Sequence, residues 1–355
     1  MKRGLFLLIF VVLLLPNISA VIEVNEITPK VYNMGDEIGF SGFLLRDRVF
    51  NGLFKVSLIC KDSSIPFMSR ILRLDANEKY NFGEKFRVPN IIAGECFLKS
   101  SLEENNNVVE EKVTDTFTIT KELKGVFVLV NNKVQLGDYA DIKGDVFRLN
   151  GKKVNGIANV YFKKDGVVLF IDTAEIKDGN FFVKIHSNYT STGSYAVDFG
   201  VGDVDGNQNF FADAIKFDVT DLLSLDLKLS KKKLSPGSNF EINGNVKDIY
   251  GNIINKGNFV IKFDGKELKG NILSGDIYYK LSLENNAKTG FHNILVEAYD
   301  ESSNKGSTTL SLEVLASADK IEVNSDKESY KPGEKVNIKS FVYDQGGDLF
   351  SRSIK

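Results

Sequence analysis

Residues 330–340 read YKPGEKVNIKS, and the chain carries three earlier copies of the same pattern. Aligning Gly35, Gly137, Gly237 and Gly333 gives spacings of 102, 100 and 96 residues. The copies run GDEIGFSG, GDYADIKG, GSNFEING and GEKVNIKS. Self-similarity at a near-constant period marks a repeated structural unit. The leading glycine suits a turn that needs positive φ. The alternation after it predicts a strand with one buried face. In the third copy Phe240, Ile242, Gly244 and Val246 share that face, and in the fourth Val336, Ile338, Ser340 and Val342 do. The small residue recurs at Gly42, Gly144, Gly244 and Ser340. This predicts a bulky side chain from the opposite sheet packed over it.

A second landmark repeats. AGECFL holds Gly94, TGSYAV holds Gly193 and TGFHNIL holds Gly290, at spacings of 99 and 97 residues. Alternating runs follow: Tyr195, Val197, Phe199 and Val201 in one repeat, His292, Ile294, Val296 and Ala298 in the next. Cys96 has the parity of Tyr195 and His292, so it is expected to point inward. Cys60 closes the alternation Val56, Leu58, Cys60. These are the only two cysteines. An exported chain favours a disulfide between them, with two buried thiols as the alternative. A bridge would close a loop of about 36 residues, worth roughly 2–4 kcal/mol.

The third repeat parses as LDLKLS, NFEINGNVK, NFVIKFD, DIYYKLSL, FHNILVEAYD and STTLSLEVL, with a further short strand near Glu267 to Ile272. Many short strands between Gly, Asn and Asp turns, with no helical period, predict an all-β two-sheet sandwich. The expected division is a signal peptide over 1–20, sandwiches over 21–122, 123–222 and 223–317, and an incomplete fourth over 318–355. The joins KELK (121–124), TDLLS (220–224) and ASAD (316–319) are short and not rich in Pro, Gly or Ser, so a semi-rigid rod is expected. Three units end to end would span roughly 100 Å. The fourth unit reaches only its third strand at Lys355. It reads as the front of a longer protein, or else as strands donated to a partner chain.

The first twenty residues, MKRGLFLLIFVVLLLPNISA, carry Lys2 and Arg3, an apolar run from Leu5 to Leu15, Pro16, and a small residue at Ala20. That is the form of a cleaved leader. As a helix the run reaches only ~16 Å at ~1.5 Å per residue, against a bilayer core of ~30 Å. Secretion or display at the cell surface is expected. The 43% hydrophobic content over 355 residues argues against disorder, and a net charge of −2 gives no field for nucleic acid.

Chemistry is sparse. His186 and His292 fall in different repeats and supply no zinc set. No nucleophile motif or phosphate loop is present, so no enzyme and no cofactor is expected. DVDGNQN places Asp203, Asp205 and Asn207 at the alternate spacing of calcium ligands. Gln208 stands where such a loop needs Gly, and Ala214 where it needs Glu, so a hairpin turn is the rival reading. Lys231-Lys232-Lys233 reads as a solvated turn. Asn188-Tyr189-Thr190 is a glycosylation sequon.

YKPGEKVNIKS followed by VYDQGG, together with TGSYAV, resembles immunoglobulin-like repeats of prokaryotic secreted and surface proteins, and macroglobulin-type sandwich modules. The resemblance implies tandem immunoglobulin-like β-sandwiches with no particular chemistry. Neither Cys60 nor Cys96 is followed by the Glu-Gln of a macroglobulin thioester. The expected role is a non-catalytic stalk, envelope component or adhesion module with a protein or glycan partner. One alternative is the front of a protease trap or secreted enzyme whose active part lies beyond Lys355. Another is an array of carbohydrate-binding modules.

Overall fold

The computed structural model describes residues 20–61, 63–131, 133–187 and 190–350. The expected leader up to Ser19, the Asn188 sequon and Lys355 lie outside the described residues. Among the described residues the named elements are all β-strands.

The first unit comprises β1 (Ala20–Val24), β2 (Val31–Asn33), β3 (Glu37–Arg46), β4 (Phe50–Cys60), β5 (Ser63–Leu74), β6 (Lys79–Arg87), β7 (Gly94–Glu104), β8 (Asn107–Val113) and β9 (Phe117–Thr120). One sheet runs β1-β3-β6 and the other β2-β9-β7-β4-β5, with β8 paired to β7. Alternate residues of both sheets turn inward and meet. The Phe54 and Phe82 rings lie 4.9 Å apart, and those of Phe40 and Phe67 lie 5.1 Å apart.

The second unit comprises β10 (Leu123–Leu129), β11 (Lys133–Gln135), β12 (Tyr139–Arg148), β13 (Gly156–Lys164), β14 (Val167–Ile176), β15 (Asn180–His186), β16 (Gly193–Asp203) and β17 (Gln208–Thr220). Its sheets, β10-β12-β15 and β11-β17-β16-β13-β14, repeat the same order. Phe127 from one sheet stacks on Phe199 from the other at 4.2 Å.

The third unit comprises β18 (Ser224–Leu229), β19 (Lys233–Leu234), β20 (Asn239–Lys247), β21 (Lys256–Phe263), β22 (Lys266–Leu273), β23 (Asp276–Ser282), β24 (Gly290–Asp300) and β25 (Lys305–Val314). The order is again the same, with the pair Leu273–Asp276 joining the two sheets at one corner. Each unit has its own buried apolar cluster. A last hairpin pairs β26 (Ala318–Ser325) with β27 (Ile338–Asp344).

Two features depart from the sequence reading. At Gly42, Gly144 and Gly244 the nearest cover of the repeat's small residue comes from within its own sheet. Gly144 pairs with Phe181 on the neighbouring strand, and a Cβ on Gly144 would lie 2.2 Å from that ring. Gly42 and Gly244 each face the backbone of the unit's first strand, where a Cβ would lie 2.0 Å from Glu23 O or Asp226 O. Cross-strand partners share a face of the sheet, so the nearest bulky group is the pair residue. In the last hairpin, Val336, Ile338 and Ser340 are exposed and Val342 is half-buried, so the set expected to face a core does not do so among the described residues.

Cys60 and Cys96 are cross-strand partners on β4 and β7 and form a disulfide with a Cα–Cα distance of 4.2 Å.

Candidate functional site

Buried polar side chains are costly unless they are hydrogen-bonded. Seven of the twelve buried polar residues among the described ones lie where one unit meets the next. Asn33, Asp36, Gln135, Arg148, Asn207, Asn304 and Asp344 are all buried. They fall at three joints.

Each joint is built from turns. At the first two joints the preceding unit offers the turn between its short parallel strand and its next long strand. At the first joint this is Asn33-Met34-Gly35-Asp36, and at the second Gln135-Leu136-Gly137-Asp138. Gly35 and Gly137 have φ of 79° and 98°, a region that Gly enters without penalty. Gly35 is also a close approach, because a Cβ there would overlap the Asp205 side chain of the next unit.

The following unit offers two turns, at 148–152 and 203–207 in the second unit and at 248–252 and 300–304 in the third, and all but the first are closed by an aspartate four residues before an asparagine. In the second unit Asp203 Oδ1 accepts from the backbone N–H groups of Asp205 and Asn207, both at 2.9 Å. Asn207 Nδ2 donates to Asp203 Oδ2 at 2.8 Å. In the third unit Asp300 caps Ser302 and Asn304 at 2.9 and 2.8 Å, and Asn304 Nδ2 donates to Asp300 Oδ2 at 2.7 Å. Asp248 and Asn252 build another turn of this kind. The loop read as a candidate calcium site is therefore a hairpin turn pressed against the neighbouring unit.

The key bond repeats. Asn207 Nδ2 donates to Met34 O at 2.9 Å, and Asn304 Nδ2 donates to Leu136 O at 2.9 Å. A second bond repeats beside it: Leu149 N–H donates to Asn33 Oδ1 at 2.9 Å, and Ile249 N–H donates to Gln135 Oε1 at 3.0 Å.

The joints differ in charge. At the first, Arg148 Nη1 donates to Asp36 Oδ1 at 2.7 Å, and its Nη2 donates to Asp203 Oδ2 at 3.1 Å and also to Asp205. Arg87 pairs with the other oxygen of Asp205. Burial works against the Arg148 charge, but Asp36, Asp205 and Asp203 outweigh it and hold its pKa above the ordinary value. At the second joint the place of Arg148, just before the hairpin turn, is taken by Asp248. Loss of water around Asp138 raises its pKa, and the nearby charge of Asp248 adds to the effect. The Tyr250 hydroxyl bridges this joint, donating to Lys133 O at 3.1 Å and accepting from Gln135 N–H at 3.2 Å.

The third joint uses other side chains. Gln345 Nε2 donates to Ala287 O at 2.8 Å, and Thr289 hydrogen-bonds Asp344. The Thr289 hydroxyl lowers the Asp344 pKa. The turn glycine of the third unit, Gly237, instead lies against Asn285 of its own unit.

The remaining candidate residues are scattered. His186 packs edge-on against Tyr139 at 4.5 Å. His292 bonds Asp264 Oδ1 at 2.8 Å and Lys288 O at 2.7 Å. Lys233 pairs with Glu313 at 2.7 Å. Gly94, Gly193 and Gly290 begin β7, β16 and β24 with φ of 128°, 132° and 121°, and Gly333 has φ of 85°. No group of three or more His, Cys, Asp or Glu side chains is placed to hold a metal ion among the described residues.

No known protein family and no curated protein matches the chain. Among solved structures it overlaps trypsin-activated alpha-2-macroglobulin from Escherichia coli, at 14% identity and a TM-score of 0.24, over 91% of this chain and 26% of that one. It overlaps the tetra-tandem repeat in the extending region of a large adhesion protein at 13% identity and a TM-score of 0.33, over 93% of this chain and 89% of that one. It overlaps Salmonella alpha-2-macroglobulin at 10% identity and a TM-score of 0.25, over 92% and 25% of the two chains. The chain thus spans about a quarter of the macroglobulins' length. Overlaps at such scores fix neither fold nor function.

Proposed function

We propose that the chain is an exported, non-catalytic spacer. Its β-sandwich units are joined at fixed angles, so that it holds interaction surfaces at a set distance from whatever anchors it. The observation that carries this reading is the repeated joint, in which Asn207 binds Met34 O and Asn304 binds Leu136 O.

The second unit makes its two joints at opposite ends of one strand. The turn at 135–138 enters β12 and the turn at 148–152 leaves it. Ten residues at about 3.4 Å each separate the two ends by about 30 Å. Joints at opposite ends chain units lengthwise. Buried hydrogen bonds restrain direction more than greasy contacts, because each bond has a preferred geometry. The leader-like first twenty residues and the Cys60–Cys96 disulfide favour export.

Small-angle X-ray scattering of the chain lacking residues 1–20 tests the reading. An extended particle with a maximum dimension near 100 Å, on the ~30–40 Å per unit scale of such strands, is expected. A compact particle, or the smeared profile of freely swinging units, would contradict it.

A further inference from the structure

We infer that the outer face of the second unit carries a binding slot for a neutral saccharide, which is independent of the spacer reading. Strand β16 presents Gly200 and Gly202 outward, one residue apart on the same face. Gly200 pairs with Asn159 on one side and Phe210 on the other, and Gly202 pairs with Ile157 and Gln208. The two flanking strands therefore raise walls along a floor that has no side chains. Two interstrand spacings of about 4.8 Å set the backbones of the walls roughly 10 Å apart. The resulting cavity is about 740 Å³, within the range of small-molecule sites.

The walls have mixed chemistry. Phe210 is 55% exposed and Ile157 is 53% exposed. Tyr161 and Phe210 meet edge-on at 5.7 Å from opposite walls and lie over Gly200, so they close that end and leave the slot open over Gly202, between Ile157 and Gln208. Asn159 and Gln208 each bring an amide that both donates and accepts. No charged side chain lines the slot, and Asp198, two residues before Gly200, is paired with Lys163 at 2.6 Å. An exposed aromatic ring beside amides and a hydroxyl, with no charged side chain in the lining, matches a ring whose apolar face and hydroxyl rim alternate. It does not suit an ionic ligand.

The repeat supplies an internal control. Counting from Gly94, Gly193 and Gly290, the places of Gly200 and Gly202 are taken by Ser101 and Glu103 in the first unit, and by Glu297 and Tyr299 in the third. In both units a lysine–glutamate pair crosses this face, Lys55–Glu103 at 2.6 Å and Lys262–Glu297 at 2.8 Å. In the middle unit the pair across these strands, Lys163–Asp198, falls before Gly200 and leaves the two glycines uncovered by charge.

The test is binding of the chain lacking residues 1–20 to an array of neutral oligosaccharides of glucose, galactose, mannose and N-acetylglucosamine, followed by calorimetry on any hit. Two variants accompany it. Gly202→Leu fills the slot in open space, since the nearest atom to a Cβ there is Asn207 O at 3.7 Å. Phe210→Ala removes an exposed wall. Binding to at least one neutral oligosaccharide, weakened tenfold or more by each variant at unchanged melting temperature, is the expected result. A blank array, binding that neither variant weakens, or capture only of anionic saccharides would overturn the proposal.

Discussion

Arg148 Nη1 lies 2.7 Å from Asp36 Oδ1 across the first joint, and both side chains are only 5% exposed. The same guanidinium reaches Asp203, which is 1% exposed. A buried ion pair gives little net stability against an apolar alternative, but breaking one strands its partner. Arg148→Ala is therefore expected to destabilise the first joint by about 3–5 kcal/mol, the usual cost of leaving a buried charge unpaired. Urea denaturation of the first two units checks this. The added variant Asp36→Asn should recover part of the loss.

The calcium-like spacing of Asp203, Asp205 and Asn207 leads to a second expectation. The Arg148 guanidinium already occupies the space between these carboxylates. Adding calcium should leave the melting temperature unchanged. A rise of several degrees at millimolar calcium would show that a cation displaces the arginine.

Gly144 lies under the ring of Phe181, its cross-strand partner. A leucine there must push the ring out of the core. Overpacking of this kind costs about 1–3 kcal/mol. Gly144→Leu should lower the thermal stability of the second unit, and Phe181→Ala should restore much of it when combined. If the double variant were no more stable than the single one, the ring would not be the group displaced.

Desolvation acts to lower the His292 pKa, but the hydrogen bond to Asp264 and then the Lys288 carbonyl prevail, so it stands above the ordinary histidine value. The folded state therefore binds the proton more tightly than the unfolded chain. The stabilisation is complete below the unfolded pKa of about 6.5 and is lost as pH rises through the higher folded value. Wild type should exceed His292→Gln in stability by more at pH 5.5 than at pH 8.5, as read by chemical denaturation. An equal margin at both pH values would sink the assignment.

Two strands of each unit were legible because they repeat a period-two pattern at a fixed glycine. Gly35, Gly137 and Gly237 mark turns, and Ile142 and Val146 face the core from β12 as alternation demands. The three short parallel strands were not legible. Two or three residues, as in Lys233–Leu234, carry no period. The joints were hidden for a different reason. Asn207 and Met34 are 173 residues apart, and Arg148 and Asp36 are 112 apart, so no local pattern links them. A signal did exist: Asp and Asn four residues apart recur at 203–207, 248–252 and 300–304. Taken singly, the first copy looks like a calcium loop. Taken together, the three are turn caps of the repeat. The cover of Gly144 was misread because the sequence shows that a position is small without showing which neighbour makes it so.

The most direct test of fixed joints is distance measurement between spin labels on the outer faces of the first and third units, at exposed Ile71 and Leu273. The wild-type chain is expected to give one narrow distribution. Replacing both Asn207 and Asn304 by alanine should broaden it markedly while each unit stays folded. An equally narrow distribution in the double variant, or a broad one in the wild type, would contradict a spacer whose direction is set by these two side chains.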